Sequence, residues 1–236
     1  MNQSSTNLSA TSPLLDSPVW AALTTGNAAL AEGHSLALRY PPEVAPFAAV
    51  AGETPASFEA LASLTSAGER VALVGLAVLG PPASFRIERQ ASIVQMILET
   101  PATAEPAGPE PVVLGSADVA DMIDLTGRTR PGPFGPRTIE FGRYIGIRAD
   151  GALVAMAGER MRFDRFVEIS AVCVDPGHRG KGYAALLMMR LIRQMQGRAL
   201  TPILHVFEDN VNAISLYERL GFRWRKTMQL TVLARY

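Results

Sequence analysis

A glycine-rich loop between a strand pattern and a helix pattern is the part of this sequence best suited to bind an anion. Residues 172–184 read VCVDPGHRGKGYA. Gly180 and Gly182 allow the backbone to curl so that successive N–H groups are exposed. The first turn of a helix has unpaired N–H donors and the positive end of the dipole, and Arg179 and Lys181 add charge beside it. This arrangement favours a pyrophosphate, although an ordinary turn entering a helix would show the same residues.

The same loop can be compared with two common nucleotide-binding motifs. The form GxxxxGK[ST] is excluded because Tyr183 follows Gly182. Residues 180–185 do read GxGxxA. However, five residues separate this glycine from the preceding strand, and no carboxylate lies about 20 positions later, at 201–203. The loop therefore fits neither a P-loop nor a Rossmann dinucleotide site.

Composition and charge narrow the class of protein and its partners. The chain has 236 residues, of which 48% are hydrophobic and 19% charged, and its formal net charge is zero. This is the profile of a globular protein with ample core. A neutral chain has no overall field that attracts nucleic acid or an anionic membrane, so we expect neither partner. Cys173 is the only cysteine, which excludes an intrachain disulfide and leaves a metal cluster without its usual ligands.

The terminus and the apolar runs predict a cytoplasmic protein. Residues 1–13 lack a basic start and an apolar run, so we interpret them as a disordered polar tail and not as a secretory signal. The longest apolar stretch, residues 71–79, is far shorter than the ~20 residues of a membrane-spanning helix.

Prolines divide the sequence into two parts. Residues 99–111 read ETPATAEPAGPEP, with four prolines, and suit a semi-rigid linker. We place a domain boundary there, between an N-terminal half at 14–98 and a C-terminal domain at 112–236. In the N-terminal half, the patterns predict helices at 18–31 and from 54 onward, and strands at 35–40, 47–50, 71–79 and 85–98, the last of which could instead be helical.

The C-terminal domain alternates strands with helices. Ser116 is expected to cap a helix, and residues 149–151 (Ala-Asp-Gly) predict a hairpin between strands at 144–148 and 153–157. The patterns also predict strands at 168–174, 203–206 and 224–233, and helices at 183–196 and 212–220. Such alternation predicts an α/β or α+β domain with a mixed central sheet.

Two motifs in the right order connect the chain to a known family. Arg179-x-x-Gly182-x-Ala184 matches the R/Q-x-x-G-x-G/A signature of the GCN5-related N-acetyltransferases, the GNAT superfamily. Residues 210–222, NVNAISLYERLGF, resemble its second signature, N-x-x-A-x-x-L-Y-x-x-x-G-F. The resemblance runs from about Leu114 to the C-terminus. It is closest to the FR47-like branch, which also resembles glycine N-acyltransferases.

The resemblance implies a fold and a cosubstrate. The fold would be α/β (α+β), with a mixed central sheet, two splayed strands and an N-terminal half that is a degenerate copy of the same fold. Acetyl-CoA would bind with its pantothenate arm along one splayed strand and its pyrophosphate on the loop. The residues that this implies for cofactor binding are Val172, Cys173, Val174, Arg179, Gly180, Lys181, Gly182, Tyr183, Ala184 and Asn210.

The resemblance also implies catalytic roles, each of which has a structural alternative. Tyr217 would protonate the leaving thiolate, whereas a tyrosine on an apolar helix face commonly only packs. Glu168 would act as the base, through water, whereas a carboxylate at the start of a strand is commonly just solvated. His205 is a competing base, and the N–H of Val174 would donate to the oxyanion. Cys173 has no evident His or Asn partner that would make it a nucleophile.

The resulting hypothesis is an acetyl-CoA-dependent N-acetyltransferase that acts on a small-molecule amine or amino acid by direct attack. Two alternatives stay open: a non-catalytic acyl-CoA-binding module, and transfer of a longer acyl group to an amino acid. No metal is implied. The proline- and glycine-rich loop at 130–138 is expected to form part of the acceptor wall.

Overall fold

The computed structural model describes residues 11–80, 82–101 and 106–236, and these ranges contain eleven strands and five α-helices. The predicted tail therefore lies outside the described residues except for positions 11–13, and the linker is described except at 102–105. The helices are α1 (Pro18–Thr24), α2 (Pro55–Ser63), α3 (Val119–Thr129), α4 (Tyr183–Gly197) and α5 (Val211–Arg219). The strands are β1 (Glu32–His34), β2 (Ala37–Arg39), β3 (Ala48–Val50), β4 (Arg70–Gly75), β5 (Phe85–Leu98), β6 (Val112–Leu114), β7 (Tyr144–Ala149), β8 (Ala152–Phe163), β9 (Phe166–Val174), β10 (Thr201–Phe207) and β11 (Phe222–Arg235).

A large mixed sheet organises the chain, as the sequence predicts. Eight strands follow the order β4-β11-β5-β10-β9-β8-β7-β6, and β1, β2 and β3 form a separate small sheet. Within the large sheet, β9 and β10 are parallel, and the other neighbours are antiparallel. Helix α4 is the crossover between β9 and β10, as a parallel pair requires.

Strands from before and after the proline-rich segment share this sheet. Strand β5 lies between β10 and β11, and β4 pairs with the outer side of β11. The backbone immediately after β5 is also tied to the C-terminal part, because the N–H of Glu99 donates to the carbonyl of Gly221 at 3.1 Å. The division at 99–111 stays a prediction about folding units, since the two parts are joined through one continuous sheet.

The sheet separates two cores. On one face, α4 and α5 pack on side chains such as Met96, Leu204 and Phe222. On the other face, α1 and the loop that contains Phe47 pack on Ile97, Ile203 and Phe166. The alternation of Met96 with Ile97 and of Ile203 with Leu204 follows from the period-2 geometry of strands. Helix α3 covers the same face as α1 and packs on β8 and β9.

Most predicted elements are confirmed. The strand expected over 71–79 ends at Gly75, and two other elements differ for local reasons. Strand β5 spans the predicted 85–98, and the hairpin turns at Asp150 and Gly151, which have φ of +50° and +82°. The helix expected over 18–31 stops at Thr24, where the hydroxyls of Thr24 and Thr25 bond back to carbonyls of the preceding turn. The cap expected at Ser116 opens a short 3₁₀ turn before α3. Within the described ranges, no helix has the length and apolarity that crossing a bilayer requires.

Candidate active site

The two parallel strands separate halfway along their length and open a cleft. Strands β9 and β10 pair at three positions, of which Ile203 opposite Glu168 is the last. No further pair between them occurs among the described residues, although β9 runs on to Val174 and β10 to Phe207. The splay that the family resemblance implies is therefore present. It opens a cavity of about 430 Å³ that is lined by residues of both strands.

A bulge in β9 shapes the wall of this cleft. Met156 of β8 is opposite Cys173, whereas Gly158 is opposite Ser170, so β9 holds one extra residue there. Ala171 at the bulge has φ of +53°, a left-handed conformation that is rare for a residue with a side chain. All three residues Val172, Cys173 and Val174 line the cleft. The sequence carries no signal for the bulge, because an alanine in an apolar run is typical of a regular strand.

The glycine-rich loop presents open backbone amides at one end of the cleft. Gly180 and Gly182 have φ of +78° and +77°, and a Cβ placed on either would meet no atom within 4 Å. Gly182 is the N-cap of α4 and supplies no side-chain cap. Among the described residues, the N–H groups of 180–185 donate to no protein acceptor. Arg179 and Ala184 line the cleft. Unpaired donors, a helix dipole and a cation at one point fit a pyrophosphate.

The flanking residues of this loop have different surroundings. Lys181 is exposed beside the open amides, and Tyr183 is half-buried against the core beneath α4. The turn before the loop is held by Asp175, whose carboxylate accepts from the N–H of Gly177 at 2.9 Å and pairs with Arg128 at the end of α3. The loop is thus anchored at its start and open at the helix.

Helix α5 supplies the opposite wall. Asn210 caps it, its Oδ1 accepting from the N–H of Ala213 at 3.2 Å, and also lines the cleft. Tyr217 lies one to two turns further along and lines the cleft with Ala213. Burial raises the pKa of the Tyr217 phenol to about 12, so the phenol is protonated at neutral pH. It is therefore a proton donor and not an acceptor.

Glu168 has surroundings that correct the expectation of a substrate-facing base. Its side chain is fully buried at the vertex of the splay. Arg160 of β8 donates to both of its oxygens, from Nε at 2.7 Å and Nη2 at 2.5 Å, and His205 Nδ1 lies 2.8 Å from Oε1. Burial alone would raise the pKa of this carboxyl, but the charge and hydrogen bonds of Arg160, with His205, lower it to about 2. A carboxylate this weakly basic and fully bonded is an anchor.

The state of His205 follows from its hydrogen-bond partners. Gln95 Oε1 faces the guanidinium of Arg225 at 2.8 Å, which can only donate. The Gln95 amide nitrogen therefore faces the carbonyl of Leu15, at 2.9 Å, and His205 Nε2, at 3.0 Å. His205 Nε2 accepts from that amide, so Nδ1 carries the proton that is donated to Glu168. The ring lines the cleft with both nitrogens engaged in hydrogen bonds.

Cys173 is in the cleft wall as a thiol. Burial raises the pKa of this thiol, so the thiolate that nucleophilic catalysis needs is disfavoured. This agrees with the absence of a catalytic partner in the sequence.

The far end of the cleft is closed by residues that the sequence analysis assigns no role. Phe47, Ile93 and Leu230 come from the loop before β3, from β5 and from β11, and Arg130 with residues 131–133 closes the side near α3. Residues 130–133 of the loop at 130–138 line the cleft, and the part of this loop in binding an acceptor stays a prediction. The sequence does contain a sign that Gln95 takes part in a buried network. It is a polar residue within the apolar run IVQMIL, and a polar residue in such a run is typically buried with a hydrogen-bond partner.

Solved structures of similar proteins cover nearly the full chain. A protein from Novosphingobium aromaticivorans that is assigned to the GNAT family of acetyltransferases is 38% identical. Its structure superposes with a TM-score of 0.88, the alignment covering 95% of this chain and 100% of that one. A GCN5-related N-acetyltransferase from Kribbella flavida is 19% identical with a TM-score of 0.63, over 92% and 93% of the two chains, and shares the fold. None of the curated proteins matches the sequence.

The family comparison agrees with the geometry of the cleft. The sequence model of the Acetyltransferase (GNAT) family matches residues 122–222, which include the glycine-rich loop, both splayed strands and Tyr217. Members of this family generally use acetyl-CoA as cosubstrate and acylate amines. The full-length relative, the matching fold and the splayed cleft together show that this chain is an acyltransferase that belongs to the GNAT family of acetyltransferases.

Proposed function

We propose that the protein transfers the acetyl group of acetyl-CoA to the primary amine of a small molecule or amino acid, by direct attack within a ternary complex. The observation that carries this proposal is the continuity of one cleft. It is lined by Arg179 and Ala184 on either side of the open amides, by the splayed strands and by Tyr217. The apolar part of the cleft, lined by Phe47, Ile93 and Leu230, would hold the acceptor.

The proposed cofactor-binding roles follow from the hydrogen-bonding groups that have no protein partner among the described residues. The amides of 180–184, with Arg179 and Lys181, would hold the pyrophosphate by charge-assisted hydrogen bonds. The unpaired edge of β9 at Val172 and Val174 would pair with the pantothenate arm as an added strand. Asn210 keeps its amide nitrogen for the same arm, since only its oxygen is used by the cap.

The thioester supplies an activated acyl group, and the chain supplies the proton movements. The N–H of Val174, at the end of β9, would donate to the carbonyl oxygen as negative charge develops there. Tyr217 would give its proton to the departing sulfur. The proton lost by the attacking nitrogen restores the phenol, so the products are an amide and a neutral thiol, and no covalent enzyme intermediate is needed.

Deprotonation of the acceptor amine would be promoted by the apolar and positively charged surroundings in the cleft, and Glu168 would not act as the base. The acceptor end combines apolar walls with the guanidinium groups of Arg130 and Arg160. Desolvation and nearby positive charge both lower the pKa of an amine, from about 10, so that more of it is neutral at physiological pH. The proton would leave to solvent before attack.

A thiol-release assay tests the proposal. Purified protein is mixed with acetyl-CoA and a panel of primary amines and amino acids, and free thiol is measured against hydrolysis without an acceptor. We expect acceptor-dependent thiol release and an N-acetylated product of matching mass. A butyryl-CoA series in parallel tests the longer-acyl alternative. Tight binding of acetyl-CoA without thiol release for any amine would contradict the proposal and favour a binding module.

A further inference from the structure

The charged groups that line the cleft all have the same sign. Arg130, Arg160 and Arg179 line it, and no Asp or Glu does so among the described residues. Arg179 lies beside the glycine-rich loop and suits the cosubstrate's phosphates. Arg130, after α3, and Arg160, of β8, also line the cleft. The charge of Arg160 is balanced by Glu168, whereas Arg130 has no ion-pair partner among the described residues, so the two together leave one positive charge for an anionic group.

Arg160 has hydrogen-bonding capacity left. Nε and Nη2, on one edge of the guanidinium, are used by Glu168, and Nη1 has no hydrogen-bond partner among the described residues. The side chain is only 12% exposed, and the guanidinium carbon lies 4.9 Å from the ring centre of Phe47. The guanidinium is thus fixed from two sides, and its free donors are part of the cleft lining. A planar fork held in this way suits recognition of a carboxylate.

The remaining walls of the acceptor end are apolar. They come from the loop before β3, from β8 and from three other strands of the large sheet, and consist of Phe47, Val74, Ile93, Met161 and Leu230. Phe47, Ile93 and Met161 are buried, whereas Val74 and Leu230 are partly exposed, so the core forms one side of this chamber. An apolar chamber with a few placed polar groups selects a ligand of the same pattern.

From these observations we infer that the acceptor is an amino acid with an apolar side chain, whose carboxylate binds Arg160 through Nη1 with Arg130 nearby. This inference rests on the proposed function and names the class of amine. The carboxylate of the acceptor binds one edge of the Arg160 guanidinium, and Glu168 binds the other edge. The side chain fills the chamber formed by Phe47 and its neighbours, and the amino group is directed toward the thioester.

The same charges act against polycationic acceptors. A polyamine, or a lysine-rich peptide, would bring a second ammonium group into a desolvated cleft that offers arginines and no carboxylate. Unpaired like charges in such a site are costly, so selectivity arises from repulsion as well as attraction.

The experiment compares matched acceptors. The ratio of kcat/KM for L-phenylalanine to that for phenethylamine isolates the carboxylate, and L-leucine, glycine and spermidine test side chain and charge. We expect the ratio to exceed about tenfold, which corresponds to one charged hydrogen bond. Arg160→Lys keeps the positive charge beside Glu168 but removes the fork, and it should bring the ratio close to one. Arg165→Lys, an exposed arginine in the β8–β9 turn, is the matched control and should leave the ratio unchanged.

Further variants and a binding measurement separate the outcomes. If Arg160→Lys does not fold, the double variant Arg160→Met with Glu168→Met removes both buried charges and should show the same loss of the ratio. Calorimetric titration of L-phenylalanine into the CoA-saturated protein reports binding without turnover. A ratio near one in the wild type, or a ratio that Arg160→Lys leaves intact, would overturn the inference while the acetyltransferase activity stands. Binding of L-phenylalanine that depends on Arg160, without thiol release for any amine, would contradict the proposed function and, with it, the assignment of the bound amino acid as the acceptor.

Discussion

Arg160 donates to both carboxylate oxygens of Glu168 at the last position where β9 and β10 pair. This ion pair lies where the sheet stops being continuous, with the core on one side and the cleft on the other. A cleft between strands leaves polar backbone and side chains without sheet partners. The buried pair, together with His205 and Gln95, forms a hydrogen-bond network where β9 and β10 separate.

Removing one member of this pair is expected to destabilise the fold. Glu168→Gln leaves the guanidinium of Arg160 buried without its counter-charge, and such losses cost about 3–5 kcal/mol. Urea unfolding followed by circular dichroism measures the change. Glu88→Gln is the control, because Glu88 forms an exposed pair with Arg70 and its loss should be barely measurable. Equal midpoints for the two variants would contradict the structural role of Glu168.

The low pKa of Glu168 predicts a loss of stability in acid. Its pKa falls from the ordinary value of 4.5 to about 2 in the fold, so its contribution is complete above pH 4.5 and is lost as the pH falls toward 2. The size of that contribution is about 3 kcal/mol. The free energy of unfolding is measured at pH 7 and at pH 2.5 for the wild type and for the Arg160→Met, Glu168→Met double variant. Because both proteins share all other carboxylates, the contributions of those groups cancel in the comparison. The wild type should lose more stability than the double variant, and parallel losses would refute this.

The sequence predicts the local parts of this site and misses its long-range ones. The glycine-rich loop and α4 depend on residues close together in the chain, and the predicted helix at 183–196 agrees with the structure. The network at the vertex joins Gln95 to His205, which are 110 positions apart. Such a contact depends on β5 lying beside β10, and no local pattern determines strand order. Glu168 was misinterpreted for this reason, because its partner Arg160 lies across a strand pair.

The acceptor chamber shows the same limit. Phe47, Ile93 and Leu230 meet because a strand from before the linker is inserted next to the last strand of the chain. Each is an ordinary apolar residue in an ordinary pattern. Composition and periodicity predict that such residues are buried, but not that they border a cavity.

Gly182 and Gly151 provide a matched test of the anion-binding loop. Both have φ near +80° and open space around an added Cβ, so alanine at either position should cost about 1 kcal/mol of stability. Only Gly182 lies at the start of α4, where the strain would turn the free amides away from the pyrophosphate. We expect Gly182→Ala to weaken CoA binding at least tenfold, equivalent to one charged hydrogen bond, and Gly151→Ala to leave it unchanged. Isothermal titration calorimetry measures both, and equal affinities would contradict the loop's assignment.

Gly221, a member of the second signature motif, is predicted to be structural. It has φ of +98°, and a Cβ there would lie 1.7 Å from the carbonyl oxygen of Thr100. Alanine should therefore cost at least about 2 kcal/mol, from backbone strain and overpacking together. Gly197→Ala is the control, because an added Cβ there meets nothing and alanine favours a helix. Thermal unfolding of the two variants should move in opposite directions; a stable Gly221→Ala protein would contradict the close contact.

Tyr217→Phe tests the proton donor without disturbing the wall of the cleft. The ring and its contact with Phe222 are kept, and only the hydroxyl is lost. Because general acid catalysis typically contributes 10²–10⁴-fold, we expect kcat to fall at least about tenfold while the Kd for CoA stays the same. Tyr236→Phe, at an exposed position, is the control and should keep full activity. The pKa of the Tyr217 phenol is raised to about 12, so ionisation of this group should cause no loss of wild-type activity up to pH 10. Unchanged kcat in Tyr217→Phe would rule out the acid role, and a weakened affinity for CoA would indicate that the hydroxyl binds the cosubstrate instead.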